Sequence, residues 1–282
     1  MKTNFTIAAY LSLSIFAANG QELNVPVSSP SQSIKQDLAL SSISVEYSRP
    51  STRGRVVFGD LVPYDKVWRT GANESTKITL GEGILMEGNR IPAGKYALYT
   101  IPGKTEWTII LSKNTTWWGA YPYTEKEDLL RFNVKAMTLS SPVETFTITF
   151  DNITTHSTTL ALSWEKTRVP VVITADNDAI AMKNIEDAMD PHDKRPYIAA
   201  ANYYYENDKD LNKALEWINK SLEMEPKAYW AMYVKAKIQL KLKDNQGALA
   251  TAGKVITLAR EDKSDEYISL GEKVVAAAKK TN

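Results

Sequence analysis

Apolar residues along the chain follow two different periods, and the change falls near residue 174. Before it they alternate with polar ones. Ile43-Ser44-Val45-Glu46-Tyr47, Phe146-Thr147-Ile148-Thr149-Phe150 and Leu160-Ala161-Leu162-Ser163-Trp164 each send every second side chain to one face, as a half-buried strand requires. The runs at 96–99 and 107–111 continue the pattern in part. Turn formers punctuate it: Gly81-Glu82-Gly83, Glu87-Gly88-Asn89-Arg90, Ile91-Pro92-Ala93-Gly94, Pro102-Gly103-Lys104 and Asp151-Asn152. Short strands at this spacing, with no amphipathic helix between them, predict an all-β antiparallel sandwich, jelly-roll-like, over 34–174. Pro170 has no backbone N–H to donate and is expected at a sheet edge or a strand start.

Beyond 174 the period lengthens. Asp176-Asn177-Asp178 is an N-cap cluster, and Ile180, Ile185 and Met189 form a helical stripe ending at Pro191, which predicts a linker helix within 175–192. From 195 to 282 a repeat emerges. Lys209-Asp210-Leu211-Asn212-Lys213-Ala214-Leu215 aligns with Lys243-Asp244-Asn245-Gln246-Gly247-Ala248-Leu249 at an offset of 34 residues. That period identifies an all-α tetratricopeptide-like domain. Ala214 and Ala248 fall where two helices cross most closely, and Tyr205, Ile218 and Leu222 are expected to fill the first groove. Glu225-Pro226 closes that unit, because Pro cannot continue a helix. The second unit runs from Tyr229-Trp230 to near Leu258, with a final amphipathic helix over Asp265–Lys280. Two units fall short of the usual three, so docking against the 178–189 helix is expected, with the β half as a further surface.

The N-terminus has its own pattern. Lys2 precedes an apolar run from Phe5 to Ala18, and Ala18-Asn19-Gly20 offers a small-x-small cleavage site before Gln21. This predicts a secretory signal peptide over 1–20, followed by a flexible leader over 21–33. The expected route is general secretory export to the periplasm or the exterior. No Cys follows the apolar run, so a lipoprotein anchor is not expected, and no later segment reaches the roughly 18 apolar residues of a spanning helix.

Composition narrows the chemistry. The 282 residues carry 34 Lys+Arg against 33 Asp+Glu, and loss of Lys2 would leave an even 33 against 33. Such a balance provides no global basic field, so no nucleic-acid partner is expected. With no Cys, disulfides, thiolate metal sites and Cys nucleophiles are all excluded. His156 and His192 stand singly, without a second His at metal spacing, and no phosphate loop or nucleophile elbow is present. No metal site, cofactor or catalytic residue is expected.

Two stretches could hold a ligand. The first runs from Tyr47-Ser48-Arg49-Pro50-Ser51-Thr52-Arg53-Gly54-Arg55 to Val67-Trp68-Arg69-Thr70-Gly71-Ala72-Asn73-Glu74. Its candidate ligand residues are Arg49, Arg55, Trp68, Arg69, Asn73 and Glu74: guanidinium forks suit carboxylates, phosphates or vicinal hydroxyls, and an indole suits a sugar ring or cation. The bland alternative pairs the Arg residues with neighbouring acids and buries Trp68. The second stretch, Trp117-Trp118-Gly119-Ala120-Tyr121-Pro122-Tyr123, adds Trp118 and Tyr121 as pocket-lining aromatics, or else caps the open end of the sandwich. On the helical repeats Tyr203, Tyr204, Trp230 and Tyr233 are the candidate partner-binding residues.

Tyr47-Ser48-Arg49-Pro50-Ser51, Gly54-Arg55, Phe58-Gly59, Leu61-Val62-Pro63-Tyr64 and Val67-Trp68-Arg69-Thr70-Gly71-Ala72-Asn73-Glu74 resemble the signature of a bacterial secreted family, domain-of-unknown-function family 2911. Ile91-Pro92-Ala93-Gly94-Lys95-Tyr96, Trp118-Gly119-Ala120-Tyr121, Glu144-Thr145-Phe146 and Trp164-Glu165 continue the likeness, which spans roughly 28–173. Asp65 stands where the family pattern has Gly, which bears on that turn's backbone. The resemblance implies an exported β domain with no established activity, often followed by a helical-repeat tail. A label of glutamine-dependent amide synthesis on some relatives would need a Cys nucleophile that this chain lacks.

Together these features predict a non-catalytic binding or scaffold protein of the bacterial envelope. Its β domain would take a small-molecule or glycan ligand, and its helices a protein partner. The alternative is a glycan-acting hydrolase using Glu74 and Asp128, which requires both carboxylates in one aromatic-lined cleft.

Overall fold

A computed structural model describes residues 25–175, 177–189 and 196–280. The segment expected to be a signal peptide (1–20), the first four residues of the expected leader, Pro191 and His192 lie outside them. The described chain falls into two compact units that divide after residue 176, and each is considered by itself.

The first unit contains ten strands in two antiparallel sheets. These are β1 (Ser31–Leu38), β2 (Ser41–Ser48), β3 (Thr76–Leu80), β4 (Ile84–Met86), β5 (Asn89–Ile91), β6 (Gly94–Ile101), β7 (Glu106–Ser112), β8 (Asp128–Lys135), β9 (Met137–Asp151) and β10 (Ser157–Ala175). One sheet has the order β1-β2-β3-β6-β7-β8 and the other β5-β4-β10-β9. Sequence alternation survives as burial alternation: along β2, Ile43, Val45 and Tyr47 are buried while their neighbours face outward. Strand β1 begins at Ser31, three residues earlier than the apolar pattern suggests, because Ser31 and Gln32 pair with Ser48 and Tyr47 across a polar edge.

Pro170 lies inside the 19-residue strand β10, not at its start. Its backbone explains how. Strand β10 pairs with β9 as far as Arg168 and with β4 from Ile173 onward, so the proline falls at the changeover, where neither ladder needs its missing N–H. Asp65 adopts φ +60°, the left-handed conformation a Gly would take there, and Asp is among the few other residues that tolerate it.

Both sheets feed one core. Trp107 of β7, Phe146 of β9 and Trp164 of β10 meet Phe58 and Trp68, with ring centroids between 4.9 and 6.1 Å apart and mostly edge-to-face. Such pairs contribute about 0.5–1.5 kcal/mol each beyond their area burial. A smaller apolar layer lies on the opposite face of β6 and β7, where Val67, Trp117, Ala120 and Tyr123 pack on Ala97, Tyr99 and Ile110. Part of the 117–123 stretch is therefore a sheet cover.

The second unit contains six helices among the described residues: α1 (Asp178–Met189), α2 (Tyr197–Glu206), α3 (Leu211–Met224), α4 (Tyr229–Lys241), α5 (Asn245–Glu261) and α6 (Asp265–Lys280). Met182, Ile185 and Met189 of α1 pack against the core of the following helices, including Ala200, Trp217 and Ile218. The 34-residue offset is visible in the caps. Asp210 accepts from the N–H groups of Asn212 and Lys213, and Asp244 accepts from that of Gly247, each satisfying donors the helix leaves unpaired. Ala214 and Ala248 are both fully buried. The inward tyrosine is Tyr204, edge-on to Trp217 at 4.8 Å, whereas Tyr205 sits one position round the helix and stays half-buried.

Candidate functional site

Between β2 and β3 the chain leaves one sheet, reaches the other and returns. Ser51 bridges to Thr145 of β9, and Trp68 bridges to Thr100 of β6. Four non-glycine residues in this excursion, Arg53, Asp65, Thr70 and Asn73, have positive φ. For the β-branched Thr70 that is a strained conformation, held only where the surroundings over-determine it. Its surroundings do so: the buried Thr70 hydroxyl donates to Thr100 Oγ1 at 3.1 Å, and its carbonyl accepts from Thr76 Oγ1 at 2.5 Å. Next to it Gly71 is obligatory, since a Cβ there would lie 2.9 Å from the Ser48 carbonyl oxygen.

This rigid excursion encloses a cleft of about 310 Å³. Its walls include Leu61, Val62, Pro63 and Val67, with Trp68 and Trp164 contributing from the aromatic core. Arg53, Arg55, Lys66 and Arg69 are its charged lining residues, and no Asp or Glu lines it. Arg55 donates from Nε to the Thr52 carbonyl and from Nη2 to the Ser51 carbonyl, both at 2.9 Å. Arg53 donates to the Ser28 carbonyl at 3.0 Å. Neutral oxygens thus fix these guanidinium groups without cancelling their charge, and neither is within ion-pair distance of a carboxylate among the described residues. The nearby acid, Glu144, is turned to the loop itself: it accepts from the Thr52 hydroxyl and the Arg53 backbone N–H. Those two bonds, and then the Arg53 and Arg55 charges, hold its carboxyl below the usual value.

The other sequence candidates separate. Asn73, Glu74 and Trp118 line a different recess of about 450 Å³, together with Tyr47 and Lys77. There the two loop stretches do meet: Glu74 pairs with Trp118 as an isolated backbone bridge, and Glu74 forms an ion pair with Lys77. Asn73 donates to the Ser29 carbonyl and the Ser48 hydroxyl. Arg49 faces a third recess and donates to the Phe146 carbonyl and Thr147 Oγ1. Tyr121 is fully exposed and lines none of these recesses. Trp68 is only 8% exposed and its indole N–H is committed to the Gly71 carbonyl, so it serves as wall, not as an open stacking platform. Arg69 lines the cleft while its Nη1 lies near Gly119 and its buried Nε has no partner.

Asp128 is engaged elsewhere. Its Oδ2 accepts from Arg131 Nε and from the Tyr123 hydroxyl. Burial, then the Asp128 carboxylate, pushes the Tyr123 hydroxyl far above its ordinary value. Glu74 and Asp128 share none of the recesses described.

On the helices, Tyr203 donates to Asp178 Oδ1 at 2.8 Å, and burial followed by that carboxylate raises its pKa to about 12. Tyr204 points into the core, Trp230 is 41% exposed against Tyr229, and Tyr233 meets Tyr267 edge-on at 6.0 Å.

Sequence reasoning missed one cleft residue, Lys66, and placed Arg53 in the candidate stretch without singling it out. The signal was available: four cations fall within 53–69, with apolar Val57, Phe58 and Val62 between them supplying buried anchors. Among the described residues no group of three or more His, Asp or Glu could hold a metal ion, and no helix is long and apolar enough to cross a membrane. A family model described as "Protein of unknown function (DUF2911)" matches residues 29–173. No curated protein and no solved structure matches the chain.

Proposed function

Since the chain belongs to the DUF2911 family of proteins of unknown function, its geometry has to carry the assignment, and we propose an exported, non-catalytic binding protein of the bacterial envelope. In this reading the β unit is a jelly-roll-like sandwich and the helices are a tetratricopeptide-like module for a protein partner. The shared aromatic core of the two sheets supports the first, and the 34-residue recurrence of cap and buried alanine supports the second. The apolar run at the N-terminus supports export.

The ligand of the β unit is a small organic anion bearing a carboxylate or phosphate. One observation carries this: a part-apolar cleft whose charged residues are all cations, two of them fixed by carbonyl oxygens. Pre-positioned guanidinium forks accept planar or tetrahedral oxyanions without first breaking an ion pair. The volume lies at the lower end of the range for small-molecule sites. The hydrolase alternative lacks such support, because Asp128 is committed to Arg131 and Tyr123, and Glu74 to Lys77.

Calorimetric titration of the full chain with glucuronate, glucose 6-phosphate and neutral glucose tests this. The anions should bind, with affinity falling as salt rises, and glucose should not. A charge-assisted hydrogen bond contributes about 1.5–3 kcal/mol, so Arg55→Ala should weaken binding on the order of 10- to 100-fold. Lys66→Ala, at an exposed position, should weaken it less and leave the fold intact. Glucose binding as well as the anions, or anion affinity unchanged in both variants, would overturn the assignment.

A further inference from the structure

Helix α4 carries a stripe set by its own geometry. Tyr229, Tyr233, Lys237 and Lys241 are four residues apart, so they share one face over about 18 Å. The neighbouring helices extend the stripe into a continuous ladder. Tyr267 of α6 lies 5.1 Å from Tyr229 and 6.0 Å from Tyr233, and Trp230 lies 5.2 Å from Tyr229. At the other end Tyr205 of α2 faces the two lysines.

The lysines differ. Lys241 is satisfied: it pairs with Asp208 Oδ1 at 2.6 Å and donates to the Tyr205 carbonyl at 2.8 Å. Lys237 has no hydrogen bond or ion pair among the described residues. Its ammonium rests over two rings, 4.7 Å from the centre of Tyr205 and 5.1 Å from that of Tyr233. Rings stabilise the charge but accept none of its three N–H donors in the strong sense a carboxylate does. Burial holds the Lys237 pKa below its ordinary value, and the Glu206 charge opposes that shift without cancelling it. The other charged or titratable groups around it are Tyr205, Tyr233, Lys241 with its partner Asp208, and Tyr267 beyond Tyr233.

We propose that this stripe is a docking site for an extended peptide segment of the protein partner, with a carboxylate seated on Lys237 and apolar side chains against Tyr229, Tyr267 and Trp230. The charge and chemistry of the stripe choose the occupant: toward one end a cation with no direct ion pair among the described residues, toward the other aromatic faces. Its length fits about six residues of extended chain at roughly 3.3 Å each. The inference rests on the reading of the helices as the partner-binding half, and it is independent of the β cleft.

The test uses the full chain and two fluorescein-labelled hexapeptides, Leu-Phe-Gly-Glu-Asp-Glu and its amide analogue Leu-Phe-Gly-Gln-Asn-Gln. The acidic peptide should bind at least about 10-fold tighter than the amide analogue, and Lys237→Met should remove that preference while Lys237→Arg retains it. Helical circular dichroism, unchanged in both variants, confirms folding. In an NMR titration of Lys237 Cε, the midpoint should rise when the acidic peptide is bound, since a carboxylate favours the charged amine. Equal binding of both peptides, no binding of either, or a preference that survives Lys237→Met overturns the proposal. Photocrosslinking from position 230 in cells distinguishes the broader reading. Partner adducts unaffected by Lys237→Met would sink the carboxylate seat alone, and absence of any adduct would sink partner binding by the helices as well.

Discussion

In the β unit, Arg53 and Arg55 are steered by the carbonyl oxygens of Ser28, Ser51 and Thr52, whereas in the helical unit Lys237 is steered by the rings of Tyr205 and Tyr233. The difference follows from where backbone acceptors are free. A loop between sheets has carbonyls outside any ladder, so a guanidinium can be pinned by neutral oxygens. A helix interior consumes its carbonyls four residues on, leaving only side chains to hold a cation. Lys241 follows the same rule, because the carbonyl it reaches, that of Tyr205, lies in the last turn of α2, where helix acceptors go unpaired. The two units differ as much in their interiors: interlocking aromatics in one, alanines at close helix crossings in the other.

That contrast can be broken at its strongest point first. Trp107 is almost fully buried and meets the rings of Phe58 and Trp68 edge-on, and Trp107→Ala should cost about 3–5 kcal/mol. Scanning calorimetry should show the loss in the transition of the β unit, with the helical transition unmoved; a shift shared equally by both would mean the two interiors unfold as one. The opposite error suits the helices. Ala248 has no exposed surface, so Ala248→Leu should overpack the crossing and cost about 1–3 kcal/mol, read as a lower urea midpoint of the helical signal. A null result there would remove close helix approach as the reason for the alanine.

The smallest effect concerns Glu144, which belongs to the loop that positions Arg53 and Arg55. Its folded pKa is depressed, chiefly by the Thr52 hydroxyl and the Arg53 N–H. Its contribution to stability is therefore present above the unfolded carboxylate pKa and is lost as pH falls through the lower folded value. Thr52→Val should move the Glu144 titration, followed by carboxyl NMR, upward toward the ordinary value. An unmoved midpoint would show that the hydroxyl does not hold the carboxylate.

Much of the secondary structure was legible because period 2 and period 3.6 are imposed by burial on one face. The 34-residue offset was legible because the same cap and the same small residue must recur wherever the same helix crossing recurs. The phase within a helix was harder: adjacent Tyr203, Tyr204 and Tyr205 differ by about 100° each, and the most buried of the three is Tyr204, while Tyr205 packs half-buried against the same core. The candidate site was legible as a dense segment but not as a shape. Arg55, Trp68 and Arg69 line one cleft, Asn73, Glu74 and Trp118 another, and Arg49 a third. Only the crossing of the loop between sheets decides that division, and crossings leave no period in the sequence.

The bridge between Ser51 and Thr145, reinforced by Arg49 and Thr147, has a kinetic side. It joins positions more than ninety residues apart in the chain, and contacts of such separation form late, after the chain entropy of a long loop has been overcome. The helical hairpins need only neighbours a few tens of residues away. A nascent chain released before Glu144 and Thr145 can pair β1 with β2, but it lacks the bridge and the carboxylate that hold the Ser51–Arg53 segment, so the cleft cannot be complete before β9 arrives.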